Sequence, residues 1–102
     1  IPSSLGNCSS LMMLNLASNS LIGGIPTTFG LLAQLTILML YQNQLSGSIP
    51  SELMNCKRLE RVNMYNNELN GVIPGLGWSG SLVLLDLTNN SLVGPIPKEL
   101  GN

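Results

Sequence analysis

Histidine is absent from this 102-residue sequence, and with it the commonest general base and metal ligand. Charge is scarce as well. Only 9% of the residues are Asp, Glu, Lys or Arg, none of them lies within residues 1–51, and the net charge is -1. Such a balance offers no basic surface to nucleic acid or acidic lipid. No phosphate loop, clustered carboxylate pair or metal-ligand spacing occurs either, so we expect no enzyme activity, no cofactor and no metal. Asp86 and Glu60 stand a repeat apart, and nothing in the sequence points to desolvation that would tune either one. A membrane-spanning run is also missing. The nearest approach, Phe29 to Tyr41, covers about 13 residues and includes Gln34 and Thr36, whereas a spanning helix needs about 20.

What the chain does have is order. Hydrophobic residues make up 44% of it, a balance that argues for a packed core and against disorder. The stretch LTILMLYQNQLSGSIP, Leu35 to Pro50, follows a frame that recurs three more times. Leu11, Leu35, Leu59 and Leu82 open the four copies, at steps of 24, 24 and 23 residues. Each copy then repeats an LxL-like pair, an asparagine (Asn19, Asn43, Asn67, Asn90), a leucine, a glycine and Ile-Pro. We divide the chain into a partial repeat at 1–10, full repeats at 11–34, 35–58 and 59–81, and a nearly complete one at 82–102. Ile1-Pro2 starts inside a repeat, with no charged leader or cleavage site. Neither end shows a polar cap, although a solenoid needs one to cover its last apolar layer. The array therefore reads as a piece of a longer one.

Alternation with period two sends Leu14 and Leu16, Leu38 and Leu40, Val62 and Met64, and Leu85 and Leu87 inward from short strands. Successive strands then pair in parallel as one sheet along one side. The four asparagines follow where the chain turns away, and stacked copies are expected to bond free backbone groups as a ladder. Glycines and prolines punctuate an LxGxIP segment expected to run extended on the flank. The remaining arm of each repeat is expected to form short helical or 3₁₀ turns that bury Leu5, Phe29, Leu53 or Leu76, then Cys8, Leu32, Cys56 or Ser79.

Cys8 and Cys56 occupy the same slot two repeats apart, roughly 10 Å at strand spacing, beyond the reach of a disulfide. Both are expected to be buried free thiols, silent about redox compartment. The third arm, Gly75 to Ser81, is one residue short and holds the only tryptophan. Trp78 either packs over the gap left by Ser79, the reading we favour, or stands exposed as an anchor.

The LxGxIP continuation, with GNCSSL at 6–11 and NCKRL at 55–59, resembles the plant-specific class of leucine-rich repeats along essentially the whole chain. That resemblance implies an α/β solenoid: a right-handed superhelix with a parallel β-sheet on the concave face and 3₁₀ or short helical turns on the convex side. In the family such arrays form ectodomains of receptor-like kinases and receptor-like proteins, and secreted polygalacturonase inhibitors. The paired-cysteine caps, transmembrane helix and kinase domain of the receptors are not in this sequence. The resemblance implies a non-catalytic recognition segment of a plant cell-surface receptor, on the extracellular face of the plasma membrane. A segment of a secreted inhibitor in the cell wall, or a structural spacer, is the alternative. Its partners would be a peptide or protein ligand and a co-receptor, with no nucleic acid and no membrane contact by the segment itself.

Stacked strands place outward residues in columns. One is Met13, Ile37, Arg61, Leu84; the next is Asn15, Met39, Asn63, Asp86; the third is Ala17, Tyr41, Tyr65, Thr88; a flanking one is Ser18, Gln42, Asn66, Asn89. Tyrosine and arginine are frequent interface anchors, and apolar residues facing outward suggest a surface that becomes covered. Met13, Ile37, Met39, Tyr41, Arg61, Asn63, Tyr65 and Asp86 are accordingly the candidate ligand contacts. Two sequons occur, Asn89-Asn90-Ser91 and Asn7-Cys8-Ser9. Asn7 is the weaker glycosylation candidate on the expectation that Cys8 is buried, and a glycan on Asn89 would obstruct the sheet at repeat four.

Overall fold

The computed structural model describes residues 1–75 and 77–98. Each repeat supplies one strand to each of two parallel sheets. Strands β1 (Met13–Asn15), β3 (Ile37–Met39), β5 (Arg61–Asn63) and β7 (Leu84–Asp86) form the first sheet in chain order. Strands β2 (Ile22–Gly23), β4 (Gln44–Ser48), β6 (Glu68–Val72) and β8 (Ser91–Val93) form the second. The LxGxIP segment, expected as a second short extended run on the flank, pairs between repeats into a sheet.

The two sheets differ in register. In the first, equivalent residues stand side by side: Leu14, Leu38, Val62 and Leu85 line up in one inward row. In the second, each strand is displaced by two residues against its neighbour, so Leu69 lies beside Gly47 and Leu92 beside Gly71. Gly47 and Gly71 sit at φ 79° and 78°, the left-handed region that a side chain makes costly.

Prolines start the convex arms. Pro2, Pro26 and Pro50, at φ -65°, -64° and -64°, precede 3₁₀ turns at Ser3–Asn7, Thr27–Leu31 and Ser51–Asn55, as the fixed pyrrolidine angle favours. The short third arm makes no such turn among its described residues. There Ser79 is buried and its hydroxyl donates to the Lys57 carbonyl at 2.7 Å. Trp78 packs against the core beside it, its indole N–H donating to the Pro74 carbonyl. Leu76 lies outside the described residues.

The core is deepest in the middle of the stack. Phe29, Leu32, Leu35, Leu38 and Leu40, then Leu53, Cys56, Leu59, Val62, Met64 and Leu69, are essentially sealed. Toward the ends, Leu5, Leu11, Leu16, Leu21, Leu82, Leu85, Leu87 and Leu92 are only half-buried. Cys8 corrects the expectation drawn from its slot: both thiols are free, but Cys8 is exposed while Cys56 is buried. Cys56 Sγ donates to the Phe29 carbonyl of the preceding arm at 3.1 Å. Among the described residues no arm packs over Cys8 as the preceding arm packs over Cys56.

Asparagine side chains join the layers. Asn43 Nδ2 donates to the carbonyls of Leu40 (3.1 Å) and, one repeat back, Leu16 (3.0 Å), while its Oδ1 accepts the Leu21 N–H at 3.0 Å. Asn67 repeats the pattern with Met64, Leu40 and Leu45, and Asn90 with Leu87, Met64 and Leu69. Asn19, at the stack end, donates among the described residues only within its own repeat, to Leu16 and Ala17. One amide per repeat thereby satisfies backbone groups that the bend leaves unpaired.

Candidate ligand-binding face

The outward residues of the first sheet fall into the columns set by its register. Met13, Ile37, Arg61 and Leu84 are direct neighbours, as are Asn15, Met39, Asn63 and Asp86. Strand neighbours lie about 4.8 Å apart, so these residues form one continuous surface. Met13 and Leu84 are 56% and 42% exposed, large fractions for apolar side chains. Ile37 and Met39 between them are half-buried. Just past the strands, Tyr41 and Tyr65 stack with ring centroids 5.2 Å apart and planes 16° from parallel. That pair presents a wide, rigid aromatic ledge across repeats two and three.

The second column is less free than its sequence suggests. Asn15 Oδ1 accepts the Ala17 N–H, Asn63 Oδ1 the Tyr65 N–H, and Asp86 Oδ1 both the N–H and the hydroxyl of Thr88. These are local turns in which a side chain holds the backbone two residues on. They orient Tyr65 and Thr88, and their oxygens are partly occupied. The Asx-x-residue spacing at the strand ends is the sequence signal for these turns, and it adds a structural role to Asn63 and Asp86 beside the ligand contact expected of them.

Arginines divide in the same way. Arg58 Nη1 donates to Gln34 Oε1 at 2.6 Å. Arg61 is exposed on the face and makes no such bond among the described residues. Arg61, whose guanidinium is always charged, pairs in register with Ile37 on one side and Leu84 on the other. The face is consequently neutral over β1 and β3 and bears a cation on β5.

Along the rim, Ser18, Gln42, Asn66 and Asn89 all take left-handed backbone angles, φ 56° to 60°. Their side chains couple in pairs: Ser18 Oγ donates to Gln42 Oε1, and Asn89 Nδ2 to Asn66 Oδ1, both at 2.7 Å.

A separate hollow lined by Leu82, Leu85, Leu87, Leu92 and Ile96 is the open end of the core, since these are inward positions of the last repeat. Among the described residues, no group of three His, Cys, Asp or Glu is placed to hold a metal ion, and no helix is long and apolar enough to cross a membrane.

Two parallel sheets, each taking one strand from every repeat, and a one-residue asparagine ladder define a solenoid. The chain belongs to the leucine-rich repeat family, whose description, Leucine Rich Repeat, matches residues 10–32, 34–56 and 81–102. Search of the curated proteins returned no match. Among solved structures, the chain resembles the ectodomain of the receptor kinase GASSHO1/SCHENGEN3 from Arabidopsis thaliana, in complex with CASPARIAN STRIP INTEGRITY FACTOR 2, with 42% identity and TM-score 0.94 over 98% of this chain and 12% of that one. It resembles the Arabidopsis receptor kinase HAESA, in complex with the peptide hormone IDA and the co-receptor SERK1, with 35% identity and TM-score 0.90 over 99% of this chain and 17% of that one. A plant ice-binding protein is similar too, with 36% identity and TM-score 0.90 over 98% of this chain and 33% of that one. The chain thus spans a third or less of the length of each of these structures.

Proposed function

We propose that this chain is a non-catalytic segment of a plant receptor-kinase ectodomain, outside the plasma membrane, and that its concave sheet binds a peptide or protein ligand. A co-receptor is the further partner this reading implies. The single observation that carries it is the stacked Tyr41–Tyr65 ledge continuous with outward Met13, Ile37 and Met39. Rigid aromatics beside apolar side chains gain from being covered and lose little conformational freedom on binding. The two receptor kinases above, each crystallised with its partner, support the same reading.

The face also constrains the ligand. Tyr41, Tyr65, Ile37 and Met39 suit an aromatic, aliphatic or prolyl segment. Arg61, with its guanidinium open, suits an acidic group on the same ligand.

Selection of an unbiased random peptide library on the chain tests this. Expected are binders rich in apolar residues with at least one carboxylate, weakened about 30-fold by the Tyr41→Ala/Tyr65→Ala pair, as for a hot spot of about 2 kcal/mol. Arg61→Glu should reverse the preference from acidic to basic peptides. Binders indifferent to all three substitutions, or no binder to this face, would sink the proposal.

A further inference from the structure

We infer that Asn7 accepts an N-linked glycan on the convex side and that the second sequon, at Asn89, stays bare. The inference rests on the extracellular reading above, because such transfer needs passage through the secretory lumen.

The Asn7-Cys8-Ser9 triplet is exposed throughout. Asn7 closes the first 3₁₀ turn, and Cys8, at φ -80° and ψ 69°, carries the chain around so that the Ser9 N–H meets the Asn7 carbonyl at 2.9 Å. Among the described residues the Asn7 side-chain amide bonds nothing. Interior repeats show that its slot is open even with an arm stacked on either side: Leu31 and Asn55, its equivalents, are both exposed. A sugar there points away from the concave sheet and displaces no packed group.

The Asn89 triplet is committed elsewhere. Asn89 holds a left-handed φ of 57° and donates its Nδ2 to Asn66. Asn90 is a rung of the ladder, bonded to Met64, Leu87 and Leu69, and Ser91 begins β8. A sugar on Asn89 Nδ2 would compete with the Asn66 bond and stand on the rim beside the tyrosine ledge. Chains modified there would fold at a disadvantage.

In the transfer itself, Asn7 Nδ2 forms a bond to the anomeric carbon of a polyprenyl-diphosphate-linked oligosaccharide. The bond from that carbon to the diphosphate oxygen breaks, the lipid diphosphate departs with the bonding electrons, and the amide nitrogen gives up one proton. The glycan would cover convex surface and leave the ligand face clear.

The test is secretion of the full 102-residue chain from plant cells behind an appended signal peptide, followed by enzymatic deglycosylation in heavy-oxygen water and peptide mass mapping. Expected is a heavy aspartate at position 7 and unchanged asparagine at 89. Asn7→Gln and Ser9→Ala should each remove one glycan's mass, and Asn89→Gln none. A bare Asn7, or a glycan on Asn89, overturns the inference while leaving the receptor reading intact, since the signal forces lumenal passage. Residence of the native parent protein in the cytosol would instead overturn the location on which both depend.

Discussion

Asn43 is buried, and its amide serves the Leu21 N–H and the Leu16 and Leu40 carbonyls together. Replacing it with alanine leaves the half-buried Leu21 N–H without its partner and takes one donor from the Leu16 and Leu40 carbonyls, which keep Asn19 and Asn67. At about 1–3 kcal/mol for one unsatisfied group, Asn43→Ala should cost about 1–3 kcal/mol in denaturant unfolding. Asn19→Ala, exposed and bonded only within its own repeat, should cost below about 1 kcal/mol. Equal losses would show that the ladder does not couple repeats. The two thiols should separate similarly. Burial raises the Cys56 pKa above the ordinary thiol value, so its thiolate is disfavoured in the fold and a thiol reagent should label Cys8 first, Cys56 only on unfolding. The same shift has a signed consequence. The unfolded thiol ionises near pH 8.5 while the folded one still holds its proton, so stability falls as pH rises past that point. Cys56→Ala should remove this part of the alkaline loss.

At the scale of elements, the convex arms are held by close backbone approach. A Cβ built on Gly30 would lie 2.6 Å from the Glu52 carbonyl oxygen of the next arm, whereas one on Gly80 meets nothing within 4 Å. Gly30→Ala should therefore destabilise by about 1–3 kcal/mol, the usual penalty of overpacking, with Gly80→Ala close to neutral in the same thermal melt. Strand positions and arm turns were legible in the sequence, because apolar alternation and proline placement act locally. The second sheet was not. Its two-residue displacement depends on how Leu69 and Leu92 settle beside Gly47 and Gly71, which no single repeat encodes.

For the whole molecule, the expected pattern is a gradient. Repeats touch only their neighbours, so stability is a sum of layers and interfaces. Leu38 and Val62 are sealed, while Leu85 is half-buried and Leu14 8% exposed. Amide hydrogen exchange should be slowest in β3 and β5 and fastest in β1 and β7. Uniform protection across all four strands would instead mean a single cooperative unit. The candidate face belongs to this scale too, because only stacking brings Tyr41 and Tyr65, 24 residues apart in sequence, to 5.2 Å.

The sequence by itself determined the repeat, its period, the inward rows and the adjacency of the tyrosines, since each follows from side-chain alternation applied once per turn of a solenoid. Tertiary structure decided which outward groups are available. Asn63 and Asp86 turned back onto their own backbone, Arg61 was left open while Arg58 found Gln34, Cys8 lost the cover that Cys56 keeps, and Asn89 was drawn into the rim. Hydrogen-bond partners and burial are set by the neighbouring layer, and a repeat read alone does not contain its neighbours.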